Sequence, residues 1–184
     1  RVGYMHGRIS SSGCMQMPID DTTTKPSLAV GDADYLEHFK MLLRGAGLCS
    51  HHKVIVYEDA MDNGYGQSCR AWFLLKYLGQ LWAAVLHGGF RAWKAKGMTI
   101  STDVPNFEPS TYKPQLNQEL IVTAQQMLEI VKDGEVQILD NRDYAEWIGA
   151  NSSPYGYDYC PRKGRIPGAK WVEWYRLMTI KDGI

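Results

Sequence analysis

The chain has 184 residues, of which 45% are hydrophobic, enough to bury one domain core and part of a second. Twenty Lys and Arg residues balance twenty Asp and Glu residues, so no basic surplus points to nucleic acid or an anionic membrane. No apolar run reaches the length of a membrane span, and no secretory signal pattern opens the sequence. Because residue 1 is Arg rather than Met, we expect the natural start, with any targeting information, to lie upstream.

The cysteines are widely spaced and form no Cys-x-x-Cys pair; they are Cys14, Cys49, Cys69 and Cys160. This spacing is not that of a zinc site, and a chain with this much core has little need of a disulfide framework. The His51-His52 pair precedes a predicted strand and is interpreted as a solvated turn. We therefore expect free thiols in a reducing intracellular compartment, such as the cytoplasm or an organelle matrix, and no metal or other cofactor.

Helices and strands are predicted to alternate through the first hundred residues. Residues 34–44 place apolar side chains on one helical face and are followed by Gly45 and Gly47, which are typical of helix ends. Short β-branched or apolar runs predict buried strands over 54–57 and 82–86. Apolar periodicity predicts two more helices, which end at Gly79 and Gly97. This order predicts an α/β fold, a parallel sheet flanked by helices.

The stretch from residue 105 to 117 changes character, because prolines at 105, 109 and 114 interrupt polar residues. We interpret it as an extended linker between two domains, residues 1–104 and residues 118–184. In the second domain, Thr123 and Gln126 form a capping-box pattern that predicts a helix ending at Gly134. A strand over 136–140 and a short helix over 144–148 are predicted to follow.

One short repeat connects the two halves of the sequence. Gly7-Arg8-Ile9 and Gly164-Arg165-Ile166 share the same three residues, and each precedes a predicted strand, 17–20 and 171–174.

Several motifs occur in an order typical of one family. They are Gly164–Ala169 (Gly-Arg-Ile-Pro-Gly-Ala), Leu86–Lys94 (Leu-His-Gly-Gly-Phe-Arg-Ala-Trp-Lys) and Asp140-Asn141-Arg142. In these motifs, and over nearly its whole length, the chain resembles the tandem-domain rhodaneses, the thiosulfate sulfurtransferases. His87 departs from the pattern, which usually has aspartate there. The resemblance implies a rhodanese-like fold cut at both ends, with one nearly complete domain and the first part of another.

The resemblance also implies a mechanism based on a cysteine at the end of a central strand. That cysteine takes sulfane sulfur from an anion such as thiosulfate and passes it to cyanide or a thiol. In the first domain Glu58 and Asp59 follow the strand, so this domain is expected to be non-catalytic. The repeat offset places the second-domain cysteine loop at roughly residue 215. We therefore expect a portion of a sulfurtransferase whose nucleophile lies beyond residue 184, with no catalytic residue in this chain.

Two arginines are predicted to bind the anionic donor, Arg142 of the Asp-x-Arg motif and Arg165 of the repeat. The alternative for Arg142 is a structural ion pair with Asp140 or Glu146. Some family members also carry an arginine near the position of Glu146, which leaves the donor's identity open. The implied partners are a small anionic sulfur donor, a thiol or cyanide acceptor, and possible protein partners covering the incomplete domain.

Three alternatives to this interpretation involve other features of the sequence. Cys69 stands near a helix start beside Arg70, a setting that activates thiols, but a packing role fits its place beyond the strand end better. A phosphatase loop, Cys-x5-Arg, is excluded because Leu75 stands where its arginine belongs. A non-catalytic, rhodanese-derived scaffold or assembly subunit remains open.

Overall fold

A computed structural model describes residues 8–9, 33–59, 66–103, 105–152, 157 and 160–177. These residues divide into two compact units, unit 1 up to Leu120 and unit 2 from Ile121. In chain order the elements of unit 1 are β1 (Arg8–Ile9), α1 (Ala33–Gly45), β2 (Val54–Val56), α2 (Gly66–Tyr77), β3 (Ala83–Val85), α3 (Gly89–Ala95), β4 (Ile100–Ser101) and a 3-10 helix (Gln118–Leu120). Those of unit 2 are α4 (Ala124–Asp133), β5 (Leu139–Asp140), α5 (Tyr144–Trp147), β6 (Lys170–Trp171) and a 3-10 helix (Trp174–Leu177).

Unit 1 is built on the parallel pair β2 and β3, in which Val54 lies opposite Ala83. The predicted helices and strands of this region are confirmed, because the apolar periodicity that suggested them also supplies the core. Helices α1 and α2 and the residues around them bury that core; its members are Leu36, Phe39, Leu43, Leu74, Leu75, Leu78 and Phe90. The α/β class is likewise confirmed, although the described strands form three two-stranded pairs.

The 105–117 segment contains no helix or strand, yet it packs against unit 1. Tyr112 is 2% exposed, and its hydroxyl donates to the Leu78 carbonyl at 3.3 Å. The backbone N–H of Gln115 donates to the same carbonyl at 3.1 Å. Gly79 adopts φ +82°, and a Cβ there would overlap the carbonyl oxygen of Gln115, so only glycine fits. The segment is thus part of the packing of unit 1.

In unit 2, α4 begins with the predicted capping box. The Gln126 backbone N–H donates to the Thr123 hydroxyl at 3.3 Å, and the Thr123 N–H donates to the Gln126 side chain at 2.8 Å. Gly134 ends the helix in the left-handed conformation. The strand predicted over 136–140 is shorter than expected: only β5 is extended and paired, because its parallel partner β6 also has two residues.

The two copies of the Gly-Arg-Ile repeat lie in different kinds of structure. Arg8 and Ile9 form β1 itself, antiparallel to β4, whereas Gly164-Arg165-Ile166 lies in irregular chain before β6. The expectation that each copy leads towards a strand is therefore correct for the second copy, and the strand predicted over 17–20 lies outside the described residues. Across the part of the chain described above, no helix has the length and apolarity needed to cross a bilayer.

Candidate anion-binding site

An open cleft of about 640 Å³ lies at the carboxyl end of β5 in unit 2. Asp140 ends the strand, and the opposite wall comes from residues 162–169 before β6. Four cationic side chains and one carboxylate line it: Arg142, Arg162, Lys163, Arg165 and Asp140. Cationic groups thus outnumber carboxylates among the lining side chains, although the whole chain is neutral. The cleft brings both predicted arginines together, and its charge suits an anion.

Arg142 is committed to contacts within the protein. Its Nε and Nη2 donate to the two carboxylate oxygens of Asp140 at 2.9 and 2.6 Å, and Nη2 also donates to the Gly164 carbonyl at 2.8 Å. The hydrogen bond from Arg142 lowers the pKa of Asp140, and the same bond raises the pKa of Arg142. Arg142 therefore ties the end of β5 to the opposite cleft wall, and its bidentate edge is already filled.

Arg165 is exposed, and its contacts leave part of the guanidinium open. The Cζ atom lies 4.4 Å from the centroid of the Trp147 ring, and Nη1 donates to the Trp147 carbonyl at 3.2 Å. Within the described ranges no acceptor bonds to Nε or Nη2 of Arg165. These two groups form the edge that matches two oxygens of one anion.

Two further cations of the cleft, Arg162 and Lys163, were not among the predicted site residues. Arg162 is exposed and forms no ion pair with any described residue. Lys163 places its Nζ 3.0 Å from the centroid of the Tyr157 ring, within cation–π range. A signal was available in the sequence, because Arg162-Lys163-Gly164-Arg165 puts three cations in four positions.

Glu146 stands near the position where some family members carry an anion-binding arginine, and here it has a capping role. It is 7% exposed, and the Asp143 backbone N–H donates to its carboxylate at 3.3 Å, which completes the capping box of α5. Glu146 does not line the cleft. Its charge therefore serves the start of the helix.

In unit 1 a carboxylate occupies the place that the resemblance reserves for the nucleophile. Glu58 follows β2, and its side chain accepts hydrogen bonds from the Gln67 backbone N–H at 3.3 Å and from the Ser68 hydroxyl at 3.0 Å. Both donors belong to the first turn of α2. An internal anion thus fills the start of this helix.

Cys69, the described cysteine beside a helix start, does not have the surroundings of an activated nucleophile. Partial burial of the Cys69 thiol, and then the nearby Glu58 carboxylate, raise its pKa, which disfavours the thiolate. The expected packing role is not what the structure shows, because Cys69 is exposed; Cys160 is exposed too, and Cys49 is half-buried. Cys14 lies outside the described residues. Across the described ranges, no three His, Cys, Asp or Glu side chains are grouped so that they could hold a metal ion.

Comparison with known proteins finds similarity to two sulfurtransferases, and no family model matches the chain. It is 30% identical to thiosulfate sulfurtransferase of Rattus norvegicus over 148 residues, which are 79% of this chain and 48% of that protein. It is 27% identical to 3-mercaptopyruvate sulfurtransferase of Mus musculus over 143 residues, 77% of this chain and 46% of that protein. The chain thus spans about half the length of these relatives.

The fold agrees with these relatives. The crystal structure of SseA from Escherichia coli, described as having the rhodanese fold, superposes with a TM-score of 0.74 at 24% identity, over 96% of this chain and 63% of that one. The expected rhodanese-like fold is thereby confirmed. The motifs, the fold and the relatives agree, and the chain belongs to the rhodanese family.

Proposed function

We propose that the chain is a portion of a sulfurtransferase and that unit 2 binds the anionic sulfur donor in the cleft at the end of β5. One observation carries the proposal: four cationic side chains and one carboxylate line a single cleft, whereas the whole chain is neutral. The relatives named thiosulfate and 3-mercaptopyruvate sulfurtransferase support the general reaction. Arg162, Lys163 and Arg165 contact the anion, and Arg142 supports the cleft wall.

The reaction we propose has two steps at a cysteine outside these 184 residues. Its thiolate attacks the outer sulfur of thiosulfate, the S–S bond breaks, and sulfite leaves with the electron pair. The resulting persulfide then gives its outer sulfur to cyanide or a thiolate, and the cysteine thiolate returns. Positive groups close to the cleft stabilise the departing anion during the first step.

The donor can be thiosulfate or a carboxylate-bearing thiol such as 3-mercaptopyruvate. Both present oxygens that a guanidinium edge can bind. The cleft, at about 640 Å³, lies within the usual range of small-molecule sites. Its size therefore admits either donor.

Titration of the 184-residue chain with thiosulfate at low ionic strength tests the binding step. We expect Arg162→Gln, Lys163→Gln and Arg165→Gln each to weaken binding about five-fold, since each removes one charged contact worth about 1 kcal/mol at an exposed site. Arg70→Gln is the matched control, because Arg70 is exposed in α2 of unit 1. Equal affinity in all variants would contradict the proposal. A parallel titration with 3-mercaptopyruvate compares the two donor classes.

Thiocyanate formation from thiosulfate and cyanide tests the position of the nucleophile. We expect the 184-residue chain to remain at the uncatalysed rate, because the proposed nucleophile lies outside it and the pKa of Cys69, the cysteine beside a helix start, is raised. Any longer polypeptide that the parent gene encodes should be assayed beside it. Turnover by the short chain at a comparable rate would place the nucleophile within these residues.

A non-catalytic scaffold remains the second candidate, and two observations favour it. Glu58 fills the start of α2 in unit 1, so that unit cannot offer this helix start to a nucleophile. Unit 2 also exposes large apolar side chains that a protein partner could cover: Leu128, Val136 and Leu139. Failure of the cleft variants to change anion binding, together with stable capture of a partner through these side chains, would favour this candidate.

A further inference from the structure

The two predicted arginines differ in which edge of the guanidinium remains available. The Nε and Nη2 groups of Arg142 are already hydrogen-bonded to the Asp140 carboxylate. Arg165 uses only Nη1, in its bond to the Trp147 carbonyl, and within the described part of the chain its Nε/Nη2 edge has no acceptor. A ligand with two oxygens on one atom can therefore be bound side-on by Arg165.

An exposed arginine normally samples many rotamers, and binding has to remove that freedom. Trp147 restricts Arg165 before a ligand arrives, because the ring lies 4.4 Å from Cζ and the carbonyl holds Nη1. Both contacts come from one residue at the end of α5. The contact atoms of Trp147 leave the Nε/Nη2 edge uncovered.

Trp147 is itself held in place by a neighbouring ring. Its indole lies nearly parallel to that of Trp171, with an interplanar angle of 20° and centroids 6.5 Å apart. Trp171 lies in β6, and its Nε1 donates to the Arg142 carbonyl at 3.0 Å. Tyr144 and Arg176 contact the Trp171 ring in turn. The two tryptophans therefore connect Arg165 to the backbone that carries Arg142.

We infer that Trp147 is a positioning residue that holds Arg165 so that its Nε/Nη2 edge binds two oxygens of the sulfur donor. This inference rests on the proposed function, since it concerns the same cleft. Trp147 does not line the cleft and acts through Arg165. The preferred ligands are anions with two oxygens on one centre, which include the sulfonate end of thiosulfate and a carboxylate.

Calorimetric titration of the 184-residue chain with thiosulfate tests the inference. We expect Trp147→Leu to weaken binding about three- to five-fold, the size of an exposed cation–π contact, and Trp147→Phe to restore most of it. Arg165→Lys should weaken binding as much as Arg165→Gln, because lysine keeps the charge and loses the planar edge. Trp82→Leu is the matched control, since Trp82 has its own cation, Lys53, 5.8 Å from its ring in unit 1.

A double-mutant cycle separates positioning from a structural role. In the Arg165→Gln background, Trp147→Leu should cause no further loss of affinity. An equal loss in both backgrounds would overturn the inference, as would weakening by Arg165→Gln with none by Trp147→Leu. Should Trp147→Leu fail to fold, the Arg165→Lys comparison and Trp147→Phe still decide the matter. Absence of thiosulfate binding by the parent chain would overturn the proposed function itself.

Discussion

Removing the Tyr112 side chain should detach the 105–117 segment from unit 1. The ring is 2% exposed, and truncating a buried aromatic side chain to Ala costs about 3–5 kcal/mol. Tyr112→Phe loses only the hydroxyl, whose 3.3 Å bond to the Leu78 carbonyl is long. Because that carbonyl still accepts the Gln115 N–H, we expect the Phe variant to lose about 1 kcal/mol or less.

Amide hydrogen exchange in the 184-residue chain measures this loss where it occurs. The Ser110, Gln115 and Asn117 N–H groups all donate to unit 1 carbonyls. Their exchange should rise about a hundred-fold or more in Tyr112→Ala, the equivalent of about 3 kcal/mol, and under about ten-fold in Tyr112→Phe. The Met127 N–H in α4 of unit 2 serves as the internal control. Unchanged protection of the three amides in Tyr112→Ala would refute the assignment of this segment to unit 1.

The other predictions concern one residue each. Arg142 lowers the pKa of Asp140, so this carboxylate adds stability above its unfolded pKa of roughly 4. That stability is lost as the pH falls through the lower folded pKa. Because Asp140→Asn cannot lose it, the urea midpoint of unit 2 should fall less between pH 5 and 2 in this variant than in the wild type. Gly79→Ala should lower the free energy of unfolding of unit 1 by about 2 kcal/mol or more, because alanine is strained at φ +82° and its Cβ would also overlap the Gln115 carbonyl. A urea midpoint equal to that of the wild type would contradict this. Thr123→Ala should cost about 1 kcal/mol, seen as faster amide exchange at the start of α4, whereas Thr123→Ser should keep the cap. Cys69 should react with iodoacetamide more slowly at pH 7.5 than a free cysteine does, since its pKa is raised, and Cys69→Ser should leave any sulfur-transfer activity within a few-fold.

Local signals in the sequence were sufficient for the helices. The capping box joins Thr123 and Gln126, which are three residues apart. The sequence pattern therefore directly predicts the hydrogen bonds that form. Glycines after α1 and α4 mark the helix ends for the same local reason. Motifs identified the family because they too are short and ordered along the chain.

Long-range packing was not visible in the sequence. The prolines and polar residues correctly predicted that the 105–117 segment has no helix or strand. They did not indicate that Tyr112 is buried in unit 1. Pairing of β1 with β4 joins residues from opposite ends of unit 1, and no local pattern encodes such a contact. Gln80 is 1% exposed, since its amide donates to the Ser50 and His52 carbonyls, whereas its type suggests an exposed residue.

Two residues that line the cleft, Arg142 and Arg165, were predicted from family motifs to bind the donor; whether they do stays a prediction. A motif does not show which edge of a guanidinium is free. The sequence alone therefore could not decide whether Arg142 binds the donor or forms a structural ion pair with Asp140. Arg162 and Lys163 were not predicted, because the family motif begins at Gly164; the cluster of cations at 162–165 was the available signal.

The Glu58 carboxylate has a consequence for what the start of α2 can bind. The first turn of a helix carries a partial positive charge, and an anion placed there lowers the free energy of the fold. A reactive thiolate or persulfide at such a position would have to remain accessible, and so would leave part of that stabilisation unused. In unit 1 the Glu58 side chain occupies the position, so the start of α2 contributes to the stability of the fold rather than to the binding of an outside anion.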